Sequence, residues 1–418
     1  MSARTSLIPM IATTNDAVPA ASTATAANVK FEGHLLYLLP LQLRTEAGGV
    51  VPLRAKSLEV LRVLALNADH LVPKAALFKA VWPDTYASED SLVQCIREIR
   101  QALGQAGPRV IQTEYKRGYR LLSANSSHLT GSRLRRFRQR IATARSRDGA
   151  SIAYAVSGSG PVVIRPPHWL THVNHDWRNG LLGPTLMRLS DAFTVVRIDG
   201  RGTGGSDRTV APGTLTDWVA DLHAVIETEG IESCSLLGIS TGAFATLRYA
   251  ASNPARVSSI VLIGGVIRGD LHRGVSERHV AALGQLVRDG WALDNPAFRA
   301  LITTSHWPEA SADDRSAFND LQRDSCSAEN AASLLQALAG TDVSVSLEKI
   351  LAPTLLLHAR HDQRVPFAES ELASRKMPNA RLVAIESANH CPVWNEPAFE
   401  MTVQEITRFL QANPGQVR

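Results

Sequence analysis

From residue 29 onward the apolar and polar positions fall into repeating patterns whose period changes along the chain. Residues 29–33 and 35–44 read as short strands. Residues 56–68 then place Leu58, Leu61, Leu64 and Ala65 at helical spacing, and a second short helix over 74–82 is stopped by Pro83. Ser88-Glu89-Asp90 supplies an N-cap and first-turn acids for a third helix ending near Gly104. Along that helix Val93, Ile96, Ile99 and Leu103 are expected to point inward, with Ser91, Gln94, Arg97 and Gln101 outward. Two further strands, 109–113 and 119–122, flank the connection 114–118. Beyond residue 141 the pattern becomes longer. A hairpin turns at Asp148-Gly149, and apolar, β-rich runs follow at 162–165, 194–199, 235–238, 259–263, 354–358 and 381–385. Helical segments separate most of them, which predicts a mostly parallel sheet with helices on both faces.

Three helices followed by a β-hairpin make a winged helix-turn-helix. The run from Ser91-Leu92-Val93-Gln94-Cys95-Ile96-Arg97 to Gly104, then Val110-Ile111-Gln112-Thr113 and Arg117-Gly118-Tyr119-Arg120-Leu121, resembles the DNA-binding domain of OmpR/PhoB-type response regulators. The resemblance implies that the third helix enters the major groove of double-stranded DNA. Gln94 and Arg97, beside Ser91 and Gln101, would then read base edges. Arg100, Lys116, Arg117 and Arg120 are the candidates for phosphate contacts. Response regulators place this module after a phosphorylatable receiver. Here it comes first, so the expectation is a one-component regulator whose sensor lies downstream, binding DNA as a homodimer.

Charge sharpens that expectation. Residues 1–140 carry 19 Lys+Arg against 10 Asp+Glu, whereas the remainder carries 25 against 29, so only the front is suited to a polyanion. The first 28 residues, rich in Ala, Thr, Ser and Pro, read as a disordered tail without the pattern of a signal peptide. Five arginines fall within 133–140, in a basic linker spanning 124–140 that either reaches neighbouring phosphates or is simply solvated. No apolar stretch is long enough to span a bilayer. Cys95, Cys234, Cys326 and Cys391 lack paired spacing, so disulfides and a structural zinc are not expected and a reducing cytoplasm fits. The histidines show no metal-ligand spacing, and no cofactor is indicated.

The chemistry lies in the second part. Gly238-Ile239-Ser240-Thr241-Gly242 follows an apolar strand and precedes a helix, the setting of a nucleophile elbow. A serine hydroxyl is a poor nucleophile at neutral pH, so it needs a base, and the base needs an orienting carboxylate. Asp362 and His390 each follow a strand, in the chain order Ser…Asp…His. With the turn Arg197-Ile198-Asp199-Gly200-Arg201-Gly202 ahead of the elbow, residues 141–412 resemble the α/β-hydrolases. That resemblance implies a catalytic Ser240, Asp362 and His390, with residues 267–348 as a helical cap over the site. The expected architecture is therefore α/β, with a winged helix-turn-helix over 29–123 and an α/β-hydrolase domain over 141–412.

One segment departs from the family. Most members place a His-Gly pair after the third strand, and this chain reads Arg165-Pro166-Pro167-His168-Trp169-Leu170. Proline has no N–H, so the oxyanion would be held by the backbone N–H of Thr241 and that of Trp169, or of His168 if the register slips by one. Some α/β-hydrolases coupled to signalling domains carry a similar Pro-x-Trp loop. Trp291, Phe298, His306 and Trp307 either line the ligand pocket or form the core of the cap. The combination suggests a transcription regulator whose hydrolase-like domain senses, and on turnover hydrolyses, a small ester, lactone or other acyl compound. The alternative is a working esterase or lactonase with an accessory DNA-binding domain. A third reading has the basic front docking a protein.

Overall fold

A computed structural model describes residues 28–38, 41–67, 71–82, 87–114, 117–122, 139–176, 179–394 and 396–417. The proposed tail up to residue 27, Lys116 and most of the basic linker lie outside these residues, and Asn28, assigned to the tail, instead begins a strand. The chain opens with four antiparallel strands in sequential order, β1 (Asn28–Phe31), β2 (His34–Leu38), β3 (Leu41–Thr45) and β4 (Val50–Val51). The run 35–44, expected as one strand, is thus two strands paired with each other. Helices α1 (Ala55–Leu66), α2 (Lys74–Val81) and α3 (Glu89–Ala102) follow. Strand β5 (Val72–Pro73) pairs with β7 (Gly118–Leu121), which pairs with β6 (Ile111–Glu114), so the wing is three-stranded. Phe31, Leu36, Leu43, Leu61, Leu64, Ile99 and Leu121 share one buried core between sheet and helices.

Helix α3 starts as its sequence requires, with the Ser88 side chain accepting the Ser91 N–H and Glu89 and Asp90 in the first turn. Its buried face is Leu92, Cys95, Ile96 and Ile99, a clean i, i+3, i+4, i+7 stripe. Val93, expected inside, is 49% exposed, because the stripe is rotated by one residue and Leu92 takes the inner position. The strand expected over 109–113 starts only at Ile111, since Pro108 opens a short helix, α4 (Gly107–Val110).

The second part is an eight-stranded sheet in the order β15-β14-β13-β12-β10-β11-β9-β8. Its strands are β8 (Gln139–Arg145), β9 (Ser151–Gly158), β10 (Val162–Arg165), β11 (Thr194–Ile198), β12 (Cys234–Ile239), β13 (Val257–Ile263), β14 (Thr354–Ala359) and β15 (Ala380–Ile385). Only the β8–β9 and β9–β11 pairings are antiparallel. Strand β8 begins inside the basic run, and Arg140 there pairs with Glu229 at 2.7 Å rather than remaining an uncommitted arginine. Alternate residues feed two cores. Ile164, Val196, Leu236 and Leu356 lie in one, and Val163, Val195, Leu237 and Leu357 in the other, as a sheet covered on both faces demands.

Helices α5 (Gly183–Leu189), α6 (Leu215–Thr228), α7 (Gly242–Ser252), α12 (Ala368–Lys376) and α13 (Pro397–Ala412) connect or follow the strands. Between β13 and β14 comes an insert of four helices, α8 (Glu277–Gly290), α9 (Ala297–His306), α10 (Ala312–Ser325) and α11 (Ala328–Ala339). Three of them begin on serines, Ser276, Ser311 and Ser327, each accepting the N–H three residues on. All four cysteines are free and buried. Among the described residues no helix is long and apolar enough to cross a membrane.

Candidate functional site

The strand order reverses at β10, which has β11 on one side and β12 on the other. In open α/β sheets the crevice beyond the carboxyl ends at such a reversal is where ligands bind. The loop after β10 and the elbow after β12 meet there. Ser240 sits on the elbow with φ +52°, the one non-glycine residue at positive φ among the described residues. Its N–H donates to Ile263 O (2.9 Å), and its carbonyl accepts the Val266 N–H (3.0 Å), so the end of β13 and the loop after it hold the strained turn. Gly238 is needed for space: a Cβ there would lie 2.6 Å from Leu262 and 2.9 Å from the Thr246 hydroxyl.

Asp362 follows β14 and His390 follows β15. His390 Nδ1 lies 2.6 Å from Asp362 Oδ2, and both side chains are buried. Asp362 Oδ1 accepts the backbone N–H groups of Arg364 (2.8 Å) and Val365 (3.0 Å). Burial by itself would raise the Asp362 pKa. The His390 charge, hydrogen bonds from His358 and His390 and the Val365 N–H outweigh it, holding the carboxyl well below the usual carboxylate range. A carboxylate so held favours the tautomer of His390 that carries its proton on Nδ1. His390 Nε2 is then the free acceptor, and it is buried without a hydrogen-bond partner. Ser240 and His390 line the same small cavity, with His168, Trp169, His306 and Trp307 around them.

Two histidines flank this pair, one of them the His306 already singled out in the insert. His358 lies 3.3 Å from Asp362 Oδ2, with its Nδ1 2.7 Å from the Ser370 hydroxyl and its Nε2 2.9 Å from Val365 O. The His306 carbonyl accepts the His390 backbone N–H (2.7 Å), and the two rings meet edge to face at 5.3 Å. Burial, then the nearby His390 charge, holds the His306 pKa well below its ordinary value, so its ring is neutral. No spacing in the sequence marks these contacts, since they arise between segments far apart in the chain. The segment around Pro167 brings Trp169 beside Ser240 and Thr241 in a larger cavity of about 300 Å³. Among the described residues neither the Thr241 nor the Trp169 backbone N–H donates to a backbone carbonyl. Of the four insert residues singled out, His306 and Trp307 line cavities. Trp291 is core instead, its indole N–H donating to Cys326 O and its ring edge-on to Trp169.

On α3, Gln94, Arg97 and Gln101 are exposed and Ser91 is half-buried. Gln94 also reaches Glu98 at 3.2 Å. Arg100 is engaged inside the domain, donating to Ile111 O (2.6 Å) and to the Thr113 hydroxyl (2.8 Å) of the wing. Arg120 pairs with Glu114 at 3.0 Å, and Arg117 is exposed at the turn.

Comparisons with known proteins agree with this fold. Residues 48–121 match the family described as transcriptional regulatory protein, C terminal, and residues 167–397 match the alpha/beta hydrolase fold. A relative from Pantoea ananatis named as a carbamate hydrolase, RutD, is 30% identical over 227 residues, 52% of this chain and 79% of its own. The 2-(acetamidomethylene)succinate hydrolase of Mesorhizobium japonicum is 26% identical over 264 residues, 61% of this chain and 90% of its own. Among solved structures, an esterase from Exiguobacterium antarcticum superposes with a TM-score of 0.55 at 24% identity, covering 64% of this chain and 98% of the esterase. A bromoperoxidase from Bacillus anthracis gives 0.54 at 21%, covering 65% and 100%. These structural likenesses establish the fold. The chain belongs to the alpha/beta hydrolase fold family and carries, ahead of that domain, the DNA-binding domain of OmpR/PhoB-type transcriptional regulators.

Proposed function

We propose that the chain is a one-component transcriptional regulator whose hydrolase domain captures and hydrolyses a small acyl compound, an ester, lactone or amide, and whose DNA affinity changes with occupancy. The observation that carries the reading is the elbow serine at positive φ sharing a cavity with a buried His390–Asp362 pair, in a chain that also carries a DNA-binding domain. Relatives named as a carbamate hydrolase and a 2-(acetamidomethylene)succinate hydrolase support acyl transfer as the chemistry.

In this reaction His390 Nε2 takes the proton of the Ser240 hydroxyl as the oxygen attacks the acyl carbon. Asp362 holds the Nδ1 proton and stabilises the imidazolium. The Thr241 and Trp169 N–H groups receive the developing oxyanion. His390 then protonates the leaving group, activates a water, and the acyl-serine is hydrolysed. His390 Nε2 has no hydrogen-bond partner, and catalytic contacts of this kind commonly tighten only in the complex with substrate. On the DNA side, Gln94, Arg97, Ser91 and Gln101 face the major groove in each of a pair of chains, and Arg117 and Arg120 face phosphates.

Two measurements test this. Short-chain p-nitrophenyl esters are hydrolysed by the wild type, and Ser240→Ala lowers the rate by at least ~10³. Equal rates remove Ser240 from the mechanism. The protein retards a fragment of its own upstream region at moderate salt, with retardation that changes when an ester is added to Ser240→Ala. Failure to retard any such fragment removes the regulator.

A further inference from the structure

The larger cavity beside Ser240 has an apolar wall, including Phe244, Leu301 and Leu335, and one charged corner. Asp270, Arg273 and Arg364 meet there. The Asp270 carboxylate is shared: Arg273 donates to its Oδ1, and Arg364 approaches the same oxygen at 3.5 Å. Two guanidinium groups therefore face one carboxylate, and the corner keeps a surplus of one positive charge. Two imidazoles also line the cavity, His279 and His306; buried His306 is neutral, and a charge on His279 would only add to the positive surplus. Arg273 Nη1 is buried and has no hydrogen-bond partner. A buried guanidinium N–H left unmet costs free energy that a bound acceptor would recover. The surplus also runs against its surroundings, because residues 141–418 carry 25 Lys+Arg against 29 Asp+Glu.

We infer that this corner is an anion subsite, and that the ligand of the domain is an acyl compound bearing a carboxylate at the end remote from the bond that Ser240 attacks. A single surplus charge suits a carboxylate monoanion better than a phosphate dianion, and the planar guanidinium fork matches its two oxygens. Arg364 lies two residues beyond Asp362, and its own N–H holds Asp362 Oδ1 at 2.8 Å. Anion capture by the Arg364 side chain is thus built on the same turn that positions the candidate catalytic carboxylate. This substrate class rests on the hydrolase reading above.

The test separates the two. The full chain carrying Ser240→Ala, which cannot turn over, is titrated calorimetrically with monomethyl glutarate and with the neutral dimethyl glutarate. The hemiester is expected to bind about tenfold more tightly. Adding Arg364→Gln or Arg273→Gln in that background brings the two ligands to within about twofold, while Asp270→Asn strengthens hemiester binding several-fold. Equal affinities, no hemiester binding, or a preference that survives both arginine replacements would overturn the proposal. An intact preference in a chain whose wild type hydrolyses neither ester would overturn the hydrolase reading and leave the anion subsite standing.

Discussion

Gly264 lies at φ +55° against His390, where a Cβ would come within 2.5 Å of Cε1 and 2.8 Å of Nδ1. Any side chain there must push the imidazole off Asp362 or move the end of β13. Gly264→Ala is therefore expected to lower kcat/KM on p-nitrophenyl esters by at least ~10² while costing about 1–3 kcal/mol in thermal unfolding. Wild-type turnover by a folded variant would show that the His390 position is not what limits the reaction. At this scale the sequence was most legible where chemistry demands a residue type in a set order. Ser240, Asp362 and His390 could be picked out as candidates because each follows a strand. Gly264 and the Asp270–Arg273–Arg364 corner could not, because their roles come from approaches between distant segments that leave no periodic trace.

Among the elements, α3 and the wing work as one piece. Arg100 ties the helix to Ile111 and Thr113, whereas Arg97 is exposed one turn earlier. Arg97→Ala is expected to weaken DNA retardation about tenfold with unfolding of the N-terminal part unchanged within about 0.5 kcal/mol. Arg100→Ala is expected to cost that part about 1–2 kcal/mol, since three charge-assisted hydrogen bonds are lost. Equal stability of the two variants would undo this division of roles. Six strands of the second part were readable as apolar runs because a sheet buried on both faces tolerates little else, and β8 and β9 from the turn at Asp148-Gly149 between them. Element phase was harder: Val93 and Leu92 are both apolar, and only packing against α1 decides which of them the core takes. The break in the run 35–44 was equally hidden, since both strands are rich in leucine.

For the whole molecule, stability should follow the buried histidines. Burial holds the His168 pKa well below its ordinary value, aided by Arg165, and lowers that of His172 to about 4, aided by His175. His306 behaves alike. As pH falls below about 6.5, the unfolded chain takes up protons that the folded chain refuses. Unfolding free energy of the hydrolase part is therefore expected to rise from pH 5 to 7 and level off above, by up to ~1.4 kcal/mol per unit for each such histidine. Asp362 acts in a separate window, its contribution being lost only as pH drops below about 4. Thermal scans across pH check this, and His306→Phe should flatten the slope; an unchanged slope would exclude His306 as a source. The four buried thiols add a way to see where the molecule opens. Burial raises Cys234 and Cys326 to about 12, so an alkylating reagent meets almost no thiolate in the folded chain. Cys95 lies on α3, Cys326 between α10 and α11, and Cys391 beside His390. Timed alkylation read by peptide mass thus clocks four separate openings in one unmodified protein, with no label to attach and no residue to mutate.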